Sequence, residues 1–210
     1  MHLRVVAVLL PAVLAACATP RTMTRQEMLD VTSRTYCGVT KEQVLKAAED
    51  VLRLNDPRDV TIAWPDENTM LARHRWLVYF VLGVGSGQHV WQFRAGDPGD
   101  DGCLKAHVLV SDDSVTSTYG AFGMTSTGAY TVSPGTATIP GNVINQPAVY
   151  ELFWAQVDYM LGKRNTWPTC KEWDERIAKN LTYGNTEPLC LFVNEQISPD
   201  DPRAAEILGG

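Results

Sequence analysis

Two His-x-Trp pairs, His74-Arg75-Trp76 and His89-Val90-Trp91, and a third imidazole, His107, are the side chains best suited to proton transfer or metal ligation. Each pair falls where apolar and polar residues alternate, so each His shares a strand face with its Trp. The run Leu104 to Val110 spends its apolar face on Leu104, Ala106, Val108 and Val110, which sends His107 to the other side. That parity predicts packed or rim histidines rather than a metal or acid–base cluster. Gly83-Val84-Gly85-Ser86-Gly87 satisfies neither GxGxxG, which needs another Gly one position later, nor GxSxG, since Val84 and Gln88 flank Ser86 at two residues. It is expected to be a hairpin turn. Asp97, Asp100 and Asp101 before Gly102 resemble a calcium loop, but the acids do not alternate and no Glu closes it.

Five cysteines carry a further chemistry. With Cys17 set aside, Cys37, Cys103, Cys170 and Cys190 form an even set that allows three disulfide pairings. Cys170 and Cys190 bracket one predicted helix and are expected to pair, leaving Cys37 for Cys103. No CxxC occurs, so neither a zinc site nor a thiol–disulfide enzyme is supported. No cofactor is expected and no ligand-binding residue is singled out. The six tryptophans, Trp64, Trp76, Trp91, Trp154, Trp167 and Trp173, lie in or beside predicted elements and are expected to be mostly core.

The elements that would position these groups begin at Thr40, which with Gln43 three residues on makes a capping box. Apolar residues at Val44, Leu45, Ala47, Ala48, Val51 and Leu52 give one helix face, ending before Asn55-Asp56-Pro57. Strands are expected over Asp59–Trp64, Thr69–Trp76, Gln88–Ala95 and Leu104–Val110, with Leu77–Leu82 a buried strand or the continuation of its predecessor. Gly96–Gly102 reads as an acidic loop. From 111 to 147 the chain turns to Ser, Thr, Gly and Pro, a long loop in which Tyr130–Ile139 could form a hairpin. Val149, Leu152, Phe153, Val157 and Met160 give a second helix stopped at Gly162. A third starts at Thr169, carries Trp173, Ile177 and Leu181 on one face, and ends by Gly184. Antiparallel strands flanked by helices predict an α+β fold: a sheet of four or five strands with helices on one face, a long loop insertion, and a C-terminal segment held by a disulfide.

At 210 residues, with a net charge of −6 and no sequence cluster of Lys and Arg, the chain has room for one ordinary domain and lacks the basic stripe of a nucleic-acid binder. The same count excludes charge as a route to membranes, so attachment is expected to be apolar.

Met1 to Arg4 form a short basic start, and Val5 to Leu14 an apolar run too short to span a bilayer as a helix. The run ends in Leu14-Ala15-Ala16-Cys17, which resembles the lipobox of bacterial lipoproteins. That resemblance covers residues 1–17 and implies cleavage before Cys17, a diacylglycerol on its thiol and usually a third acyl chain (palmitate in many members). At about 0.8 kcal/mol per buried methylene, two or three chains form a durable anchor. Ala18 is not the Asp that resembles an inner-membrane retention signal, so an outer-membrane, periplasm-facing location is implied. The expected organisation is a signal peptide at 1–16, a lipidated tether at 17–35, one α+β domain at 36–182 and a C-terminal segment and polar tail at 183–210. Met28, Leu29 and Val31 are the only tether residues expected to form a turn.

The order of helix, meander and closing helix is similar to the helix-grip domains of outer-membrane assembly lipoproteins of the BamC type. Together with the lipobox it implies a non-catalytic protein-interaction or assembly module with an envelope protein partner. The alternatives are a binder of a small apolar or lipid ligand between sheet and helix, and a periplasmic hydrolase using Ser86 or a loop serine with His89 or His107.

Overall fold

The computed structural model describes residues 21–80, 83–118, 142–190 and 196–209. Within them the order is α1 (Arg25–Val31), β1 (Ser33–Cys37), α2 (Lys41–Asn55), β2 (Val60–Asp66), β3 (Thr69–Phe80), β4 (Gly83–Ala95), β5 (Cys103–Thr118), β6 (Asn142–Val143), α3 (Pro147–Met160), α4 (Cys170–Ala178) and α5 (Ala204–Leu208). The sheet is antiparallel in the order β1-β5-β4-β3-β2, and β6 adds two residues to the β5 edge. An α+β sheet with helices on one face is therefore observed.

The capping box at Thr40 forms: the hydroxyl accepts from Gln43 N–H while the Gln43 amide oxygen accepts from Thr40 N–H at 2.8 Å. The helix it starts, α2, and the more apolar α3 cover the inner sheet face. There Met70, Ala72, Trp91, Phe93, Leu104, Ala106, Val108 and Val110 are all buried, as the alternation requires. Phe153 and Trp154 of α3 meet this face, with ring centroids 5.2 Å from Trp91 to Phe153 and 5.8 Å from Phe93 to Trp154. Burying each such ring stabilises by roughly 1.5–3 kcal/mol. One polar pair is buried among these rings and fully bonded. Gln156, on α3, accepts from Asn55 at 2.8 Å and donates to the Pro168 carbonyl at 3.0 Å.

The disulfides join Cys37 to Cys103 and Cys170 to Cys190. Cys37 and Cys103 face each other across β1 and β5, so the bridge ties an edge strand to a central one. The second ties the start of α4 to the segment after it.

Three expectations change. The presumed tether is ordered in its second half: α1 carries its own capping box, β1 joins the sheet, and Met23 is buried. The N-terminal segment is held because the Trp154 indole donates to the Val31 carbonyl at 2.8 Å and Met23 N–H reaches the Asn145 side chain at 3.0 Å. Gly83–Gly87 is the start of β4 rather than a turn, because the strand pairing continues to Phe80↔Gly83. Leu77–Phe80 is the continuation of β3, one of the two readings of that run, with Leu77 48% and Tyr79 76% exposed. The third helix ends at Ala178, leaving Leu181 at the surface; the left-handed residue that follows it is Asn180, φ 55°, four residues before Gly184. The hairpin expected at Tyr130–Ile139 lies outside the described residues, although part of the loop around it is β5 and β6.

The apolar rows of the inner face end at Ala72, Trp91 and Val110. Beyond the next row, β3, β4 and β5 continue as a three-stranded arm, residues 75–80, 83–88 and 113–118, with no β2 neighbour.

Candidate functional site

Where the apolar core stops, the inner face changes to a polar seam. Register sets Val60, His74, His89 and Asp112 side by side across β2, β3, β4 and β5, with Asn142 of β6 next to Asp112. His74 and His89 are 4% and 6% exposed, and their rings stack with centroids 6.0 Å apart. The Asp56 carboxylate, at the end of α2, closes on His74 Nδ1, and Asp112 Oδ1 lies 3.6 Å from His89 Nε2. The seam is thus an Asp-His-His-Asp row assembled from one helix end and three strands. Sequence alternation placed each imidazole on the face of its own Trp as a packed or rim residue; the strand register brings the two together. The flanking carboxylates were not foreseen, because Asp56 reads as a helix stop and Asp112 as the start of a loop.

Burial, and then the charge of His74, hold the His89 pKa down at about 4, so its ring is neutral at neutral pH. Burial pushes Asp112 the opposite way, opposed by the Trp76 indole and assisted by Asp113. At neutral pH the neutral His89 ring has one nitrogen to donate and one to accept a hydrogen bond, and carries no imidazolium proton for acid catalysis. Beside it, a cleft of about 300 Å³ is lined by His89, Asp112, Asn142, Asn185 and Glu187, and by Thr22 from the start of the described chain.

The other candidates do not join this row. His107 lies on the opposite face, where Ser33 Oγ meets its Nδ1 at 2.8 Å; among the described residues no carboxylate bonds that ring. Ser86 pairs with Leu77 and His89 with His74, so Ser86 and His89 belong to opposite faces of β4. Asp97 pairs with Lys41 at 2.8 Å and Asp101 accepts from Cys103 N–H at 3.0 Å, which commits two of the three loop acids. Among the described residues no group of three or more His, Cys, Asp or Glu is placed to hold a metal. Of the tryptophans, Trp91, Trp154 and Trp173 are buried, Trp76 and Trp167 half-buried, and Trp64 is 45% exposed. Cys17 lies outside the described residues.

The outer face of the sheet is the second feature. Arg73 and Arg75 from β3, Arg94 from β4 and Lys105 from β5 all project from it, all exposed, and none forms an ion pair with a described residue. Leu77, Tyr79 and Leu109 are exposed on the same face. A sheet face carrying four cations is therefore present, as two separate pairs, Arg73 with Arg75 on β3 and Arg94 with Lys105 on β4 and β5, where the sequence shows no cluster of Lys and Arg. It is invisible along the chain because strand alternation hides cations at every second position and three strands contribute them. A signal existed in Arg73-x-Arg75.

The space between sheet and helices is filled by fully buried side chains, Trp91, Phe93, Tyr150, Phe153 and Trp154 among them. Among the described residues no helix is long and apolar enough to cross a membrane. Comparison with known proteins returns no family model, no curated relative and no solved structure that matches this chain, so its function has to be read from its own surfaces.

Proposed function

We propose that this chain is a lipid-anchored envelope lipoprotein, held by acyl chains on Cys17 at the outer membrane and facing the periplasm, whose α+β domain is a non-catalytic protein-interaction or assembly module. The observation that carries the interaction role is the uncovered outer face, where the exposed Arg94 and Lys105 share the sheet face of the exposed Leu109. On a chain of net charge −6, four exposed cations on one sheet face make that face more positive than the chain as a whole. Such a surface fits an acidic partner with an apolar centre, in keeping with interfaces that place an apolar core inside a charged rim. The anchor reading rests on the lipobox and on the odd cysteine left once the other four have paired. The alternative reading, an apolar ligand between sheet and helix, is less favoured because the described residues of that interface are closely packed buried side chains.

The test is crosslinking and affinity capture from native membranes with three proteins: wild type, Cys17→Ser, and Arg94→Glu/Lys105→Glu. The expected outcome is an envelope protein captured by wild type, lost on charge reversal, and reduced when the anchor is removed. Equal capture by all three would overturn the reading.

A further inference from the structure

We infer that the cleft between α1, α3 and the segment after α4 binds an alkylammonium group, the head of a lysine side chain or of a small primary amine. It stands apart from the outer sheet face and does not depend on the role given to that face.

Three stretches of chain build its walls. The first is α1, whose capping box fixes Glu27 and whose last residues bring Asp30 and Val31 to the cleft. The second is α3, which contributes Pro147 at its start and Glu151 one turn further along. The third is the run 180–183. Asn180, at φ 55°, turns the chain after α4, and Ala148 N–H, the second residue of α3, donates to the Tyr183 carbonyl at 3.3 Å. That bond lays Thr182 and Tyr183 against the helix. Gly184 keeps them there by close approach, since a Cβ at this position would overlap the Gln146 side chain. The cleft is therefore preformed, with a volume of about 470 Å³, inside the range of about 300–1,000 Å³ that small-ligand pockets occupy.

Three polar atoms of its lining residues lack a partner. Glu151 Oε2, Thr182 Oγ1 and Tyr183 Oη are each shut off from bulk water, and none has a hydrogen bond among the described residues. Thr182 as a whole is only 8% exposed. One unpaired buried polar atom is costly, and three in one cleft mark a surface that a bound group completes.

Charge selects that group. Three carboxylates, Glu27, Asp30 and Glu151, line the cleft with a single cation, Arg21. The Arg21 guanidinium is 3.2 Å from Glu27 and 4.2 Å above the centre of the Tyr183 ring, while Asp30 accepts from Gln26 at 2.8 Å. Glu151 has no cation among the described residues. An anion is opposed by the surplus of carboxylates, whereas the three N–H donors of an ammonium match the Glu151 carboxylate and the hydroxyl oxygens of Thr182 and Tyr183. Arg21 already takes the aromatic face on which a second guanidinium would stack, which leaves the compact ammonium as the better fit. Met23, Val31, Pro147 and Leu181 supply an apolar wall for a methylene stem.

The test titrates the isotope-labelled full chain with Nα-acetyl-lysine methylamide and follows its amide resonances. Nα-acetyl-norleucine methylamide, which keeps the stem and lacks the ammonium, and Nα-acetyl-arginine methylamide serve as comparisons. Saturable shifts at Glu151, Thr182 and Tyr183 are expected with the lysine probe, with at least tenfold weaker binding of the norleucine probe. Glu151→Gln is expected to weaken the lysine probe about tenfold, its fold verified by circular dichroism and Tm. Arg21→Gln is expected to leave that affinity unchanged or raise it about twofold. Equal affinity for the lysine and norleucine probes, shifts that never saturate, or an unaltered affinity in Glu151→Gln would overturn the inference, water alone then completing the three atoms. Tighter binding of the arginine probe than of the lysine probe would overturn the choice of ammonium. The comparison of probes uses the wild-type chain, so it decides the matter even if Glu151→Gln fails to fold.

Discussion

The indole of Trp76 lies against Gly87, its cross-strand partner: a Cβ on Gly87 would stand 2.7 Å from the ring and 2.5 Å from the Asp113 carbonyl oxygen. Glycine is required here by close approach, with no unusual backbone angle involved. Gly83 and Gly85 occupy the equivalent positions opposite Phe80 and Val78, so three alternating glycines fall on one face of β4.

Replacing Gly87 by Ala is therefore expected to overpack the junction of core and arm, costing about 1–3 kcal/mol. A lowered urea midpoint with an unchanged m-value would confirm it. A midpoint equal to wild type would show that Trp76 can move aside.

Stability should depend on pH through His89. Its folded pKa, about 4, lies below the ordinary imidazole value of 6.5, so the unfolded chain binds the proton first as pH falls. The contribution is fully present above about pH 6.5 and is lost progressively down to about pH 4, a change on the order of 3 kcal/mol. The raised pKa of Asp112 works against this loss at the acid end. Urea titrations between pH 7 and pH 4 should show the decline, and His89→Gln should flatten it.

Removing the C-terminal bridge with Cys170→Ala/Cys190→Ala opens a loop spanning 20 residues. The expected loss is about 3 kcal/mol. Differential scanning calorimetry reads it as a lower Tm. An unchanged Tm would mean that the contacts of the segment, such as Gln196 donating to the Leu189 carbonyl at 3.1 Å, hold it without the bridge.

Trp154→Phe keeps most of the buried ring but removes the 2.8 Å bond to the Val31 carbonyl. A loss of about 1 kcal/mol from the hydrogen bond adds to the smaller ring volume. Amide exchange should quicken first in α1 and β1, the segment that this bond ties to α3. Uniform quickening across the sheet would instead point to a global loss of packing.

The amino-acid sequence by itself determined the α+β class, the capped start of α2, the strand alternation and the buried face of α3. Each follows from a local period or a cap spanning three or four residues, so no distant contact is needed to read it. It also determined the separation of His107 from His74 and His89, because parity along a strand survives folding. Only the tertiary structure decided that Gly83–Gly87 extends a strand instead of turning, since that depends on Trp76 finding Gly87 across the ladder. The order in α1 and β1 had the same origin: Thr-rich, polar residues become part of the fold because β5 offers them an edge and Trp154 offers them a donor. The Asp-His-His-Asp seam and the four-cation face were likewise tertiary decisions. Their members come from different strands, and which residues stand side by side there is set by register, which no single stretch of chain encodes.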